Sequence, residues 1–399
     1  MSSKSVYFAQ SIGLGQAKRH SPRMRRVTFR SLMLGGMSVA LCSVALPAVA
    51  ANWWSPTPSL SIGSTATINV RNAGAKGDGR HDDTAAFQAA INALPASGGT
   101  ILVPAGRYMI NTLKSINLRS HMRLLMNPLA ELVAIPNSSG RYYVIKASRV
   151  NNVEINGGSI IGDRIGHIGN TGEWGMGVYI LGSAKVFVHN LKISRCWGDG
   201  VYVGAYGGFT GKITVVPSSD ITLNHVISTG NRRQGLSFGP VQRAYVVNST
   251  FSNTSGTAPQ AGIDIEPSTQ GIAQNIRIEA SKITGNAGNG LELLEHSTGV
   301  VITSNTIKGN QGYGVLGVGG ANAWITQNLI TENRLSGVGM ESTTHDVKIT
   351  SNTVTYNNTS WFLAHHMSIY TLTYSPRDIY IKPTTWNISL ANNKLTPSK

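Results

Sequence analysis

The sequence predicts an all-β chain wound as a solenoid of short, stacked parallel strands, and two repeating columns of residues carry that prediction. In the first column a glycine is followed at once by an apolar, β-prone triplet. It reads Gly177-Val178-Tyr179-Ile180, Gly200-Val201-Tyr202-Val203, Gly235-Leu236-Ser237-Phe238, Gly262-Ile263-Asp264-Ile265, Gly290-Leu291-Glu292-Leu293, Gly314-Val315-Leu316-Gly317 and Gly337-Val338-Gly339-Met340. Where a polar residue separates two apolar ones, as in Ile263-Asp264-Ile265, the period of two marks a strand with one face buried. The second column consists of apolar pairs five positions apart: Val188/Ile193, Ile221/Val226, Val246/Phe251, Ile278/Ile283, Ile302/Ile307, Ile325/Ile330, Ile349/Val354 and Leu390/Leu395. Two residues before the second member stands Asn224, Ser249, Ser281, Asn305, Asn328, Asn352 or Asn393, and from Ile283 to Val354 the spacing is 23 or 24 residues.

A period in the low twenties with Gly and Asn corners is that of a β-solenoid, in which each strand pairs with its equivalent one coil away at about 4.8 Å. Like residues then stack into ladders. Buried asparagines can bond from rung to rung, and the glycines are expected to supply the positive φ of a sharp bend. Nine or ten coils are expected.

Taken in order, residues 1–50 resemble an export signal, which could also begin at Met24. A basic region ends at Arg30, an apolar core runs from Leu32 to Leu46, and Ala48-Val49-Ala50 offers a cleavage site before Ala51. The apolar run is too short for a membrane span, so no membrane anchor is expected after cleavage, and the product is expected to be secreted or periplasmic. Residues 51–64 read as a linker. Residues 65–398 read as one domain, with 355–387 an aromatic-rich C-terminal insertion or cap. Of the +16 formal charge, seven Lys/Arg and no acid lie in residues 1–50, leaving 27 basic against 18 acidic residues, a net of +9. That balance favours an acidic partner. Nucleic acid is disfavoured, because the mature chain has no basic run and no helical reading element. Cleavage removes Cys42 and leaves Cys196 alone, so no intramolecular disulfide is expected, and Cys196 reads as structural.

Ahead of the coils, Gly74-Ala75-Lys76-Gly77-Asp78-Gly79 is followed by Asp82-Asp83-Thr84-Ala85-Ala86-Phe87 and then by Val103-Pro104-Ala105-Gly106-Arg107-Tyr108. Asp82 or Asp83 can cap a helix over Ala85–Ala93 with Phe87, Ala90 and Ile91 on one face, a plug for the open end of the solenoid core. On these segments the chain resembles the right-handed parallel β-helix, pectate-lyase-like superfamily. That superfamily includes pectate lyases, polygalacturonases, alginate epimerases and phage tailspikes. The resemblance implies the fold over residues 65–398 and a polysaccharide partner, and it leaves the reaction open.

The reaction motifs of those families do not carry over. Polygalacturonases show a paired Asp-Asp where this chain has Trp197-Gly198-Asp199-Gly200, and no Gly-His-Gly or Arg-Ile-Lys follows. Alginate epimerases show Asp-Pro-His-Asp, of which Asp264-Ile265-Glu266-Pro267 is a loose echo. What the chain offers instead is a concentration of scarce acids: Asp264, Glu266, Glu292 and Glu295 fall within 32 residues, after Asn231-Arg232-Arg233-Gln234.

The repeat places Tyr179, Tyr202, Ser237, Asp264 and Glu292 in one outward column. Asp199, Gln234 and Trp197 lie beside it, and the whole is expected to be an open groove. Close carboxylates raise one another's pKa unless a cation intervenes. The expected catalytic residues are therefore Asp264, Glu266, Glu292, Arg232 and Arg233, with Tyr179, Asp199, Tyr202, Gln234, Ser237 and Trp197 binding substrate. A raised carboxyl could act as a general acid. Alternatively, Asp264, Glu266 and Glu292 could hold Ca²⁺, with Arg232 or Arg233 as base or charge clamp for β-elimination; no cofactor is required. The leading expectation is a lyase on an acidic polysaccharide. A glycoside hydrolase or uronan C5-epimerase is the first alternative and a non-catalytic exopolysaccharide-binding protein the second.

Overall fold

The computed structural model describes residues 54–207, 214–267, 271–358 and 378–396. The expected export signal, and residues 359–377 of the expected C-terminal insertion, lie outside the described residues. The chain forms a right-handed parallel β-helix. Sheet A runs from Thr67–Asn69 to Trp386–Ala391 in 12 strands, sheet B from Asp78–Asp82 to Lys394–Leu395 in 12, and sheet C from Ile116–Asn117 to Ile379–Ile381 in 10. The coils outnumber the expected nine or ten because the first turns carry neither repeating column.

The helix Thr84–Asn92 stands in the first coil, in the sequence position that a sheet C strand takes in later coils. It buries Phe87, Ala90 and Ile91 in the core. Its Gln88 side chain bonds both backbone groups of Asn117 on the first sheet C strand, donating at 3.3 Å and accepting at 3.1 Å. Asp82 accepts from the Thr84 amide at 3.0 Å. Asp83 turns instead to the amides of Lys76 and Gly77 at 2.6 and 3.1 Å, which accounts for the Gly-Ala-Lys-Gly stretch ahead of it. Gly77 has a φ of +59°, and a Cβ there would meet the Tyr108 ring at 2.7 Å.

Inside the coils, Val178, Val201, Leu236, Ile263, Leu291, Val315 and Val338 stack in register along sheet C and are fully buried. The repeated glycine before each of them does not have positive φ, contrary to expectation. Its role is steric. A Cβ on Gly290 would lie 2.5 Å from the Gly314 carbonyl oxygen, and one on Gly314 would lie 2.4 Å from that of Gly337, so only glycine lets successive coils approach. Several left-handed residues are non-glycine instead, among them Ser304, Gln327 and Ser351, each just before a ladder asparagine.

That ladder forms at the corner between sheets A and B. Asn305 Nδ2 donates to Asn328 Oδ1 at 3.0 Å, Asn328 to Asn352 at 2.9 Å and Asn352 to Asn393 at 2.9 Å. Each amide also donates to a core carbonyl, such as that of Ile302 or Ile325. Asn224 is not part of it. Its coil pairs Leu223 with Val246 and Ser228 with Phe251, two residues out of step with the expected Ile221/Val226, and its side chain donates to the Pro56 carbonyl instead. A second ladder, absent from the sequence reading, occupies the corner between sheets B and C: Asn286, Asn310, Asn333 and Asn357 bond in series at 2.8 to 2.9 Å. Its signal was present as an asparagine five residues after each of Asn305, Asn328 and Asn352.

Candidate active site

Sheet C's outward column runs Tyr179, Tyr202, Ser237, Asp264, Glu292 and Leu316, each the direct neighbour of the next. Asp264 points away from the core because Ile263 and Ile265 on either side point into it. The group is not the open groove expected. Asp199, Gln234, Ser237 and Asp264 are fully buried and Glu292 is 6% exposed. The covering comes from Arg233 and Gln234, whose side chains fold back from their turn over the carboxylates.

Arg233 is the hub. Its Nη1 and Nη2 donate to the two oxygens of Glu266 at 2.9 Å each, and Nη1 also reaches Asp199 Oδ2 at 3.2 Å and Gln234 Oε1 at 2.9 Å. A fifth acid, Glu173, approaches Arg233 Nε at 3.9 Å; sequence reading missed it because it comes from the long turn before sheet C. Gln234 Nε2 donates to Asp264 Oδ2, and the Ser237 hydroxyl donates to Asp199 Oδ2 and to Gln234 Oε1. Asn289 Nδ2 donates to Glu292 Oε1 at 2.7 Å. Asp264 Oδ1 is buried without any hydrogen bond. Only Glu266 and Glu173, with side chains 23% and 35% exposed, meet solvent appreciably.

One arginine faces several carboxyls, and water is excluded. Burial pushes Asp199 up to about 6, against the pull of Arg233. Burial likewise raises Glu292 to about 7, with Glu266 adding to the rise and the Asn289 bond opposing it. Asp264 is raised well above the usual carboxylate range by burial, and further by Glu266 and Glu292. The site thus holds carboxyl groups of unlike protonation at neutral pH.

Three expected roles are corrected. Trp197 is not a substrate platform: it is 7% exposed, stacked on His167 at 3.9 Å and covered by Arg232 at 3.9 Å. Arg232 does not face the carboxylates. It donates to the carbonyls of Gly172 and Asn170 and pins the turn that carries Glu173. Arg233 cannot act as a base, because its carboxylate partners raise its pKa further against burial. Cys196 is buried, and that burial raises its thiol, in keeping with a structural role. Glu295 and His296 are exposed and take no part in the cluster.

The carboxylates do not fit Ca²⁺. Among the described residues no three acidic, His or Cys side chains converge as a metal requires. Arg233 fills the place between Asp199 and Glu266 where a cation would sit.

On the coils before the carboxylates, the face becomes aromatic and basic. Tyr143 stacks on Tyr179 at 3.9 Å, and Tyr202 follows at 5.3 Å from Tyr179. Arg141 lies over the exposed Trp174 at 4.6 Å, Lys146 over Tyr143 at 5.8 Å and Arg149 over Tyr206 at 4.4 Å. Beneath the Glu173 turn, Asp163 accepts from Tyr142 and bonds His167 Nδ1 at 2.9 Å, a buried set with no trace in the repeat pattern.

A family model described as rhamnogalacturonase A/epimerase, pectate lyase-like, matches residues 67–273, just over half of the chain. The chain belongs to that family. A right handed beta helix region matches residues 261–394. The chain is 27% identical over 321 residues to the SPbeta prophage-derived uncharacterized protein YorA of Bacillus subtilis (strain 168), covering 67% of this chain and 54% of that protein. It is 28% identical over 273 residues to the uncharacterized protein YclG of the same organism, covering 62% and 46%. It therefore spans about half the length of these curated relatives. Among solved structures, the A-module of the mannuronan C-5 epimerase AlgE4 of Azotobacter vinelandii superposes with a TM-score of 0.64 at 18% identity, covering 83% of this chain and 96% of that module. That likeness speaks to the fold.

Proposed function

We propose that this family member is an exported glycoside-cleaving enzyme acting on an acidic polysaccharide, with Asp264 as general acid and Glu266 as the second carboxyl of the pair. One arrangement carries the reading: the Asp264 carboxyl, whose burial favours its protonated form, lies beside the Glu266 carboxyl group, which Arg233 grips through two hydrogen bonds. Glycoside cleavage needs that pairing of unlike carboxyls, one to protonate the leaving oxygen and one to stabilise or attack the sugar carbon. Gln234 fixes Asp264 Oδ2, which leaves Oδ1 unused by any protein atom; because Oδ1 is buried, its proton reaches a substrate oxygen only once the Arg233–Gln234 cover moves aside. Glu266 is both gripped by Arg233 and partly exposed, as the partner must be to reach substrate. Glu292, one coil on, titrates near neutral pH and can return the proton.

β-Elimination through an arginine base loses support, because Arg233 is locked in its charged form and Arg232 faces away. The choice of an acidic polymer rests on the Arg141, Lys146 and Arg149 side chains laid over rings on the adjoining coils; aromatic faces cover sugar rings while the cations meet uronates. The polymers named in the family description and in AlgE4's title are of that class. The basic and apolar sequence of residues 1–50 supports export, which suits such a substrate.

The test is incubation with rhamnogalacturonan, polygalacturonate and alginate, reading reducing ends and unsaturated ends in parallel. Hydrolysis predicts reducing ends without unsaturated ones. Unsaturated ends would overturn the proposed chemistry in favour of elimination, and binding without either product would mean a non-catalytic role.

A further inference from the structure

We propose a second carbohydrate site on the outer face of sheet A, remote in the fold from the sheet C cluster, that takes a single carboxylated sugar ring through Lys185. The starting observation is a column of left-handed residues at the start of the sheet A strands, which the pairing ladder steps over. It comprises Asn152, Lys185, Asp220, Arg243, Asn275, Gly299, Asn322, Asp346 and Asn387, with φ between 50° and 64°. The pairs on either side keep these positions aligned. Short Asn, Asp and Gly are the usual occupants of this conformation. Lys185 and Arg243 are not, and with Asp220 between them they fall on consecutive coils.

Those three residues line one cavity of about 230 Å³, walled also by Thr222 and Tyr245 on adjacent rungs and by Ser55 and Ser59. The segment carrying the serines lies along the sheet rather than hanging as a linker. Asn224 bonds the Pro56 carbonyl at 2.8 Å, Asn152 bonds the Ser61 amide at 3.0 Å, and Trp54 lies under Arg277 at 4.7 Å. Asp220 and Arg243 are committed to each other through two bonds of 2.6 and 2.8 Å. Lys185 is exposed and makes no hydrogen bond or ion pair among the described residues. The cavity thus offers one uncommitted ammonium, several hydroxyls and an aromatic wall. A carboxylate, ring hydroxyls and a ring face match that inventory. Strained backbone kept at a cavity, where asparagine would sit more easily, is the further pointer to a ligand.

The test is calorimetric titration of the full chain with D-galacturonate and with D-galactose, its uncharged counterpart. The wild type should bind the acid in preference. Lys185→Asn restores the usual residue of the column, so its melting temperature should hold or rise while galacturonate affinity falls roughly tenfold or more. Lys185→Arg should keep most of the affinity. The proposal is overturned if the wild type binds no galacturonate, if it binds galactose equally well, or if Lys185→Asn leaves affinity unchanged. Because the readout is binding, failure here would leave the sheet C chemistry untouched, and the reverse also holds.

Discussion

Two sets of buried polar side chains run along this solenoid, and they are built on opposite principles. The corner ladder of Asn305, Asn328 and Asn352 is neutral and repetitive. Every amide donates to the next rung and to a core carbonyl. The sheet C cluster of Asp199, Arg233, Asp264, Glu266 and Glu292 is charged and irregular, and it includes buried atoms without a hydrogen bond, Asp264 Oδ1 and Arg233 Nε. A fully satisfied buried network rigidifies a fold, whereas an unsatisfied charged one costs stability that the fold must recover elsewhere. The ladder therefore reads as architecture and the cluster as a site that awaits a substrate. The two should respond differently to perturbation.

The largest effect is expected at Arg233. Arg233→Met leaves the buried Asp199 and the half-buried Glu266 without their cation and should cost about 3–5 kcal/mol of stability, measured as a shift in denaturant midpoint at constant slope. The exposed pair Lys308–Glu332, with side chains 49% and 46% exposed, supplies the contrast: Lys308→Met should cost less than about 1 kcal/mol. Equal losses would erase the distinction drawn for the cluster.

Next comes the ladder itself. Asn328→Ala orphans the Asn305 backbone N–H and takes the side-chain donor from the Ile302 carbonyl and from Asn352 Oδ1, which keeps only the backbone N–H of residue 328, so a loss of about 2–3 kcal/mol is expected. Turnover on a cleaved polysaccharide should be unchanged. A variant that lost activity while keeping its melting temperature would show that the ladder serves more than architecture.

The smallest effect concerns pH. Asp199 and Glu292 are raised in the folded chain to about 6 and 7 from 3.8 and 4.5, so between those values the folded state binds more protons than the unfolded one. Stability from these groups is greatest at low pH and falls as pH rises through that window. Glu154 and Glu279, lowered by the His189 and Arg277 bonds, act in the opposite sense but mainly below pH 4.5. Melting temperature should thus rise by about 2 °C or more on going from pH 8 to pH 5. A fall over that interval would mean that the cluster is ionised throughout.

The comparison also explains what was legible in the sequence. Repeating features could be read: the Gly column, the Asn305–Asn352 corner and the alignment of Ser237, Asp264 and Glu292 on successive coils all follow from a fixed spacing. Irregular features could not. Ser228 takes an apolar position in its coil, which threw the alignment there out by two residues. Whether Asp264 is open or covered depends on how Arg233 and Gln234 fold back from their turn, and Trp197 and Arg232 were drawn away by a turn of irregular length. Glu173 and the Asp163–His167–Tyr142 set come from insertions, where no neighbouring coil supplies a template.

The most direct measurement is turnover and thermal unfolding of Asp264→Asn, side by side with the wild type. Asparagine keeps the shape and the Gln234 neighbour but cannot deliver a proton, and it removes a carboxyl that crowds Glu266 and Glu292. The account predicts turnover reduced by roughly a hundredfold or more, with a melting temperature equal to or above that of the wild type. Unchanged turnover would move the chemistry away from Asp264, and a large loss of stability with it would make the cluster architecture after all.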